Sequence, residues 1–255
     1  IYTDRRVSKV KAKEKIVVTE DGHEETYDKI LISAGATAFV PGSFAALKGA
    51  HCMRTIEDAV KLREKLEEKE YKSAVVVGAS MVGIKVAELL HKRGIHVTLA
   101  DMAPHIFALA AYPKVSEMIE ERVKKVGIDM AFGQAITAAD EHVDELGNVS
   151  GYMVHLGDGS SIETDMLVLN IGTRAATGVL NPEEVEIDRG IVVDTKMQTS
   201  AEGIYAAGDC CQGNNLQSGQ TQIIGLWANA GVQGRVAGTN MAGKHDETDG
   251  NILHN

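Results

Sequence analysis

The sequence predicts an α/β fold built around a parallel sheet, and three observations carry that prediction. First, the apolar run Ser73 to Val77 leads into Gly78-Ala79-Ser80-Met81-Val82-Gly83. A helical spacing of Val86, Ala87, Leu89 and Leu90 follows, and then a second β-prone run, Ile95 to Ala100, that stops at Asp101. Second, one skeleton occurs twice, 137 positions apart. Asp21-Gly22, Asp28 and the Gly35 that ends KILISAG recur as Asp158-Gly159, Asp165 and the Gly172 that ends MLVLNIG. Third, Ile204 to Ala207 is another short apolar run, closing on Gly208-Asp209.

Taken in order, the opening stretch to Ala36 reads as short strands. Ile16 to Val18 and Lys29 to Ser33 flank the turn at Asp21-Gly22. The segment to about Ala50 is poor in charge and serves as a connection. Thr55 and Asp58 have the spacing of a helix cap, and Ala59, Leu62 and Leu66 then recur on one face up to Tyr71. Strand, glycine turn, helix and strand between Ser73 and Asp101 form a βαβ unit with a right-handed crossover. Tyr112 to Val126 is a further helix, with Pro113 in its first turn and Gly127 beyond its end. Strands between Ile128 and Gly172 complete that domain, Trp227 to Met241 has helical spacing, and the polar tail from Lys244 to Asn255 is expected to be loose.

Length and composition narrow the function. With 255 residues, 44% of them apolar, the chain holds one large or two modest domains. Its 26 basic against 36 acidic residues give a formal charge of −10, which argues against nucleic acid or an anionic membrane as partner. No apolar run is long enough to span a bilayer, and the first residues do not read as a signal peptide, so a cytoplasmic setting is expected. Cys52, Cys210 and Cys211 form neither a C-x-x-C nor a disulfide framework. No histidine pairs with cysteine or carboxylate at metal-ligand spacing, and no metal site is expected.

The glycine turn is where chemistry enters. A diphosphate needs hydrogen-bond donors and close backbone approach, and a turn at a helix start supplies both. Gly78 makes the tight turn and Gly83 lets the helix pack on the strand, while Ser80 stands where G-x-G-x-x-G has its middle glycine. Asp101, 23 residues after Gly78, is placed to accept the adenosine-ribose hydroxyls and to repel a 2′-phosphate, which favours NADH over NADPH. An ordinary tight turn, and a merely solvated strand end at Asp101, are the structural alternatives. A nucleophile elbow, G-x-S-x-G, fails because its last position is Val82.

On these residues the chain resembles the FAD-dependent pyridine nucleotide-disulfide oxidoreductase superfamily. NADH oxidases, coenzyme A disulfide reductases and ferredoxin or rubredoxin reductases look most similar. The resembling segments are YDKILISAG, CMRTIEDA, AVVVGASMVGIKVAELLHKRGIHVTLAD, LVLNIGTRAAT and TSAEGIYAAGDC. The resemblance implies a Rossmann-like NAD-binding domain, a parallel sheet plus a three-stranded meander, inserted in an incomplete FAD-binding domain. Residues 51–180 would form the NAD-binding domain, and residues 1–50 and 181–255 the partial FAD-binding domain. An amino-terminal FAD half-domain and a carboxy-terminal interface domain, through which the parent protein would be a homodimer, would lie outside the sequence.

The same resemblance implies cofactor-binding roles for Gly78, Ala79, Ser80, Met81, Val82, Gly83, Asp101 and Gly172 toward NADH, and for Ala34, Gly35, Arg54, Gly208, Asp209 and Trp227 toward FAD. For Asp209 the alternative is a helix cap or turn residue, for Arg54 a surface charge, and for Trp227 core packing. Lys85 stands where relatives often carry glutamate, and Gly172-Thr173-Arg174-Ala175-Ala176 where they have G-x-R-P-N. No catalytic side chain is expected, cysteines included, because hydride transfer from NADH to flavin is chemistry the cofactors perform. The acceptor stays open between oxygen, a disulfide or persulfide, nitrite and an iron–sulfur protein. The alternatives in function are an NAD-binding module without turnover and an electron-transfer subunit completed by another chain.

Overall fold

The computed structural model of the chain describes residues 1–108 and 110–251. In chain order, β1 (Val7–Lys11), β2 (Ile16–Thr19), β3 (Glu24–Thr26), β4 (Ile30–Ile32) and β5 (Ala36–Ala38) precede a short 3₁₀ turn and β6 (His51–Cys52). Then come α1 (Ile56–Glu68), β7 (Ser73–Val77), α2 (Met81–Lys92), β8 (His96–Asp101), α3 (Pro113–Lys125) and β9 (Asp129–Phe132). The meander β10 (Ile136–Val143), β11 (Val149–Leu156) and β12 (Ser161–Thr164) leads to β13 (Met166–Leu169) and β14 (Thr173–Ala175). The chain ends with β15 (Ile191–Val192), β16 (Ile204–Ala206), β17 (Cys211–Asn214), β18 (Thr221–Gln222) and α4 (Trp227–Met241). It folds as two compact units, residues 38–172, and residues 1–37 with 173–255.

In the unit of residues 38–172 the sheet order is β6-β13-β7-β8-β9, all parallel. Its central strands β13 and β7 are apolar but for Ser73, because both faces are covered. Ala74 and Val76 of β7 and Met166 and Val168 of β13 share a cluster with Leu62 of α1, Val86, Ala87 and Leu90 of α2, and Val123 of α3. Their alternating neighbours Val75, Val77, Leu167 and Leu169 join Ala139, Tyr152 and Val154 of the antiparallel meander instead. Carboxylates fix the joints: Asp165 Oδ2 accepts from the Lys72 and Ser73 amides at 2.7 and 3.0 Å, and Glu141 Oε1 from those of Lys48 and Gly49 at 2.6 and 2.8 Å. At the start of α1, Thr55 and Asp58 form the expected reciprocal capping box. Leu89 departs from expectation: it is 50% exposed, because the α2 stripe that meets the sheet runs through Gly83, Val86, Ala87 and Leu90.

The other unit holds the antiparallel sheet β1-β2-β3, the parallel pair β16-β4, and the small sheets β14-β5 and β15-β17-β18. Its core gathers Val10, Ile32, Val185, Ile191, Ile204, Ala206 and, from α4, Val236 and Ala237. As far as Asn251 the tail is docked rather than loose. Asn251 is 3% exposed, its Oδ1 accepts from Gln233 Nε2 at 2.7 Å, and its backbone N–H donates to Asn214 O at 2.7 Å. Buried amide–amide bonds anchor this polar segment, where no apolar pattern announces it; residues 252–255 lie outside the described residues.

The repeated skeleton is a structural duplication. Shifted by 137 positions, β3 falls within β12, β4 within β13, and β5 coincides with β14. Gly22 and Gly159 turn with φ of +81° and +87°, and Gly35 and Gly172 follow their strands with φ of +70° and +102°. These are left-handed conformations that only glycine adopts at little cost.

Candidate functional site

The βαβ unit places its turn where the parallel sheet reverses direction of travel, with β8 on one side of β7 and β13 on the other. That is the crevice position favoured by ligands of open α/β sheets. Gly78 has φ +107°, and a Cβ on it would overlap the Asn170 carbonyl oxygen. One on Gly83 would overlap the carbonyl of Gly78 itself. Both glycines are therefore fixed by close backbone approach. Ser80 is the extended N-cap of α2, yet its side chain makes no capping hydrogen bond. Its exposed hydroxyl is available to a ligand. The first helical hydrogen bond is Ile84 N–H to Ser80 O, 3.0 Å, so the N–H groups of Met81, Val82 and Gly83 have no intrahelical acceptor. No acidic residue occupies this first turn, and His91 and Lys92 sit in the last, so the helix start is suited to an anion.

Asp101 closes β8 beside this turn. Its Oδ2 accepts from the Ala79 N–H at 2.6 Å and its Oδ1 from the Ala103 N–H at 2.8 Å. Two charge-assisted bonds orient the carboxylate, and each oxygen keeps a lone pair for a further donor. Ala79 is held from its other side as well, its carbonyl accepting from Phe107 N–H at 3.1 Å. The segment that does this rests on α3, where Ser116 Oγ donates to Ile106 O at 2.7 Å and Glu120 Oε1 accepts from Ile106 N–H at 2.9 Å.

Sequence reasoning missed Asn170. It follows β13 directly, donates its N–H to Val77 O at 2.7 Å, and is 8% exposed. Among the described residues, neither Nδ2 nor Oδ1 of its side chain has a partner. The one available signal was an amide within the otherwise apolar run LVLNIG.

The second group of candidate residues lies in the other unit, where the parallel strands β4 and β16 end side by side. Ala207 N–H donates to Ile32 O at 3.0 Å, and the Cys210 thiol lies 3.4 Å from that same oxygen. The amides of Ala34 and Gly35 face the Cys210 sulfur. Gly208, with φ +83°, donates its N–H to Gln233 Oε1 at 2.7 Å, and the Asp209 carboxylate lies against Gly225, where a Cβ would sit 3.1 Å from its Oδ1. A cavity of about 910 Å³ runs along β4 here, lined among others by Val10, Val17, Ile32, Ala34 and Arg174.

Trp227 begins α4 and is 96% exposed, so core packing is excluded as its role. Arg54 is exposed at the approach to α1, its backbone N–H donating to Asp58 Oδ2 at 2.9 Å. Gly172 lies at the end of the unit that carries the glycine turn, its carbonyl accepting from Phe39 N–H at 3.0 Å. Lys85 is paired with Glu88, 2.8 Å away, which also meets Lys92. The two lysines hold the Glu88 carboxyl down at about 2, so the positive charge introduced at Lys85 is locally balanced. Burial pushes all three cysteine thiols up, Cys211 to about 12. None is a ready nucleophile.

The fold is that of an α/β protein with a parallel sheet and an antiparallel meander, and the chain belongs to the pyridine nucleotide-disulphide oxidoreductase family, whose model matches residues 1–234. Among relatives, it is 32% identical over 228 residues to the NADH-dependent phenylglyoxylate dehydrogenase subunit epsilon of Aromatoleum evansii, covering 88% of this chain and 51% of that one. It is 29% identical to rubredoxin-NAD(+) reductase of Pseudomonas putida, over 90% of this chain and 58% of that one. The water-forming NADH oxidase from Lactobacillus brevis, solved bound to NADH, matches with a TM-score of 0.83 at 25% identity, over 95% of this chain and 53% of that one. The chain thus spans a little over half the length of these relatives.

Proposed function

We propose that residues 78–83 and Asp101 bind NADH, and that the protein to which this chain belongs is a flavoprotein oxidoreductase passing electrons from NADH to an acceptor. The N–H groups at the start of α2 take the pyrophosphate, with Ser80 Oγ as an added donor, and Asp101 takes the adenosine-ribose hydroxyls. Gly172 lies at the end of the segment that closes this domain. The observation that carries this reading is the 2.6 Å bond from Ala79 N–H to Asp101 Oδ2, which locks the ribose-reading carboxylate to the phosphate-binding turn. An ionised carboxylate so held repels a 2′-phosphate, hence the preference for NADH. Titration calorimetry with NADH and NADPH tests it: NADH should bind at least tenfold tighter, and equal affinities would contradict the role of Asp101.

The ends of β4 and β16 fit one side of a flavin nucleotide. Ala34, Gly35, Gly208 and Asp209 stand together at these strand ends, the Asp209 carboxylate against Gly225, and Trp227 would add an aromatic ring. FAD, when bound, supplies the hydride-accepting chemistry; these residues bind and orient it. A second reading, in which this chain is an NAD-binding module that needs a further segment for flavin, is favoured by β4, which pairs only with β16 among the described residues and leaves its other edge along the 910 Å³ cavity. Purified protein that carries the yellow absorbance of flavin excludes that second reading. The acceptor is of the redox-protein or small-molecule class that the relatives' names span.

A further inference from the structure

A helix that packs on a sheet ordinarily turns an apolar stripe toward it. The stripe of α3 that runs through Ser116, Ile119, Glu120 and Val123 has two polar members, and both bind the backbone of one loop residue, Ile106. Ser116 Oγ donates to Ile106 O at 2.7 Å, while Glu120 Oε1 accepts from Ile106 N–H at 2.9 Å and meets His105 Nδ1 at 3.2 Å. Ser116 is 1% exposed and the Glu120 side chain 19%. Burying most of a carboxylate is unfavourable unless other groups replace its water. Here those groups belong to the loop between β8 and α3.

The loop passes this anchoring on to the glycine turn. Phe107, next in sequence, has φ +53°, a left-handed conformation that a bulky side chain rarely adopts, and its N–H donates to Ala79 O at 3.1 Å. Ala79 N–H in turn donates to Asp101 Oδ2, and Ala103 N–H, near the start of the loop, to Asp101 Oδ1. Asp101, the loop and Ala79 thus close a ring of hydrogen bonds, and Glu120 and Ser116 attach that ring to a helix. We propose that Glu120, assisted by Ser116, is a positioning residue of the dinucleotide site. It touches no ligand; it sets where the ribose-reading carboxylate lies relative to the N–H groups that take the diphosphate. The inference rests on the reading of residues 78–83 and Asp101 as that site. It assigns part of the affinity for NADH, and of the discrimination against NADPH, to a side chain on α3.

The test titrates the full chain and its variants with NADH and NADPH. Glu120→Ala should weaken NADH about fivefold to tenfold, the scale of a charge-assisted hydrogen bond partly transmitted to the ligand, and should narrow the NADH/NADPH ratio. Glu120→Gln keeps an oxygen that accepts from Ile106 N–H, and it should restore NADH affinity to within about twofold of wild type. Val123→Ala is the structural control: it removes apolar packing from the same helix, so it should lower the melting temperature and leave the ratio unchanged. Unchanged affinity and ratio in Glu120→Ala would overturn the inference while leaving the dinucleotide site standing. An equal change of ratio in Val123→Ala would also overturn it, by showing that any loosening of α3 has the same effect. Wild-type chain that binds neither nucleotide would remove the site and the inference together. If Glu120→Ala does not fold, Ser116→Ala decides: weaker NADH with a narrowed ratio supports the role, and wild-type values contradict it.

Discussion

Asp101 and Ala79 are joined by a hydrogen bond of 2.6 Å, from the backbone of the glycine turn to the carboxylate that ends the neighbouring strand. The same side chain also holds Ala103, so it carries both the shape of the turn and the negative charge offered to a ribose. We predict that Asp101→Ala weakens NADH tenfold or more and removes the discrimination against NADPH. Losing a charge-assisted hydrogen bond costs about 1.5–3 kcal/mol, which sets that scale. A variant that keeps the wild-type NADH/NADPH ratio would show that this carboxylate does not read the sugar.

The glycine geometry separates positions that look alike in sequence. Gly83 has no room for a methyl group beside the Gly78 carbonyl, whereas Gly231 and Gly238 of α4 have nothing within 4 Å of an added Cβ and ordinary φ. Gly83→Ala should destabilise by about 1–3 kcal/mol through overpacking and reduce NADH binding. Gly231→Ala and Gly238→Ala should each stabilise by about 0.5–1 kcal/mol, because alanine is the better helix residue. Urea unfolding curves check both, and a stable Gly83→Ala with intact binding would refute the packing account.

The thiols give a pH prediction. Cys211 in the fold keeps its proton up to about 12, against an ordinary value of 9.0, first because it is buried and then because Cys210 lies beside it. The folded state thus holds a proton that the unfolded chain releases. The resulting stability is complete below pH 9.0 and is withdrawn as pH rises toward about 12, at about 1.4 kcal/mol for each pH unit. Alkylation at pH 8 should leave Cys210 and Cys211 unmodified in native protein and label both in denaturant. Rapid native labelling of either would reopen a catalytic role for it.

The residues after α4 bear on stability as well. Asn251 Oδ1 receives Gln233 Nε2, and Gln233 Oε1 receives the N–H of Gly208, which links the tail to the turn after β16. A chain ended after Gly243 should lose about 2 kcal/mol or more, since buried amides then lack partners. Thermal melts of the two lengths measure this, and identical melts would mean that the segment is not docked.

Much of this was legible because it follows from local pattern. The run Ser73 to Asp101, the capping box at Thr55 and Asp58, and the boundaries Trp227 to Met241 each carry their own physical signal, and the 137-residue repeat survives as matching strands. What escaped depends on distant partners. β15, β17 and β18 are short and contain Cys, Gln, Gly and Asn, so only pairing across the chain makes them strands. The docked tail depends on Gln233 and Asn214, far back in sequence. Trp227, an aromatic that burial would ordinarily claim, is exposed because the first residue of α4 points away from the Val236–Ala237 stripe. Asn170 stood out only once its neighbours were known.

If one turn and one carboxylate hold a reduced nicotinamide dinucleotide, a crystal structure of this chain with NADH will show it. The diphosphate should lie against the N–H groups of Met81, Val82 and Gly83, with both adenosine-ribose hydroxyls within hydrogen-bond reach of Asp101. Density for the dinucleotide elsewhere, or a ribose turned away from that carboxylate, would contradict it.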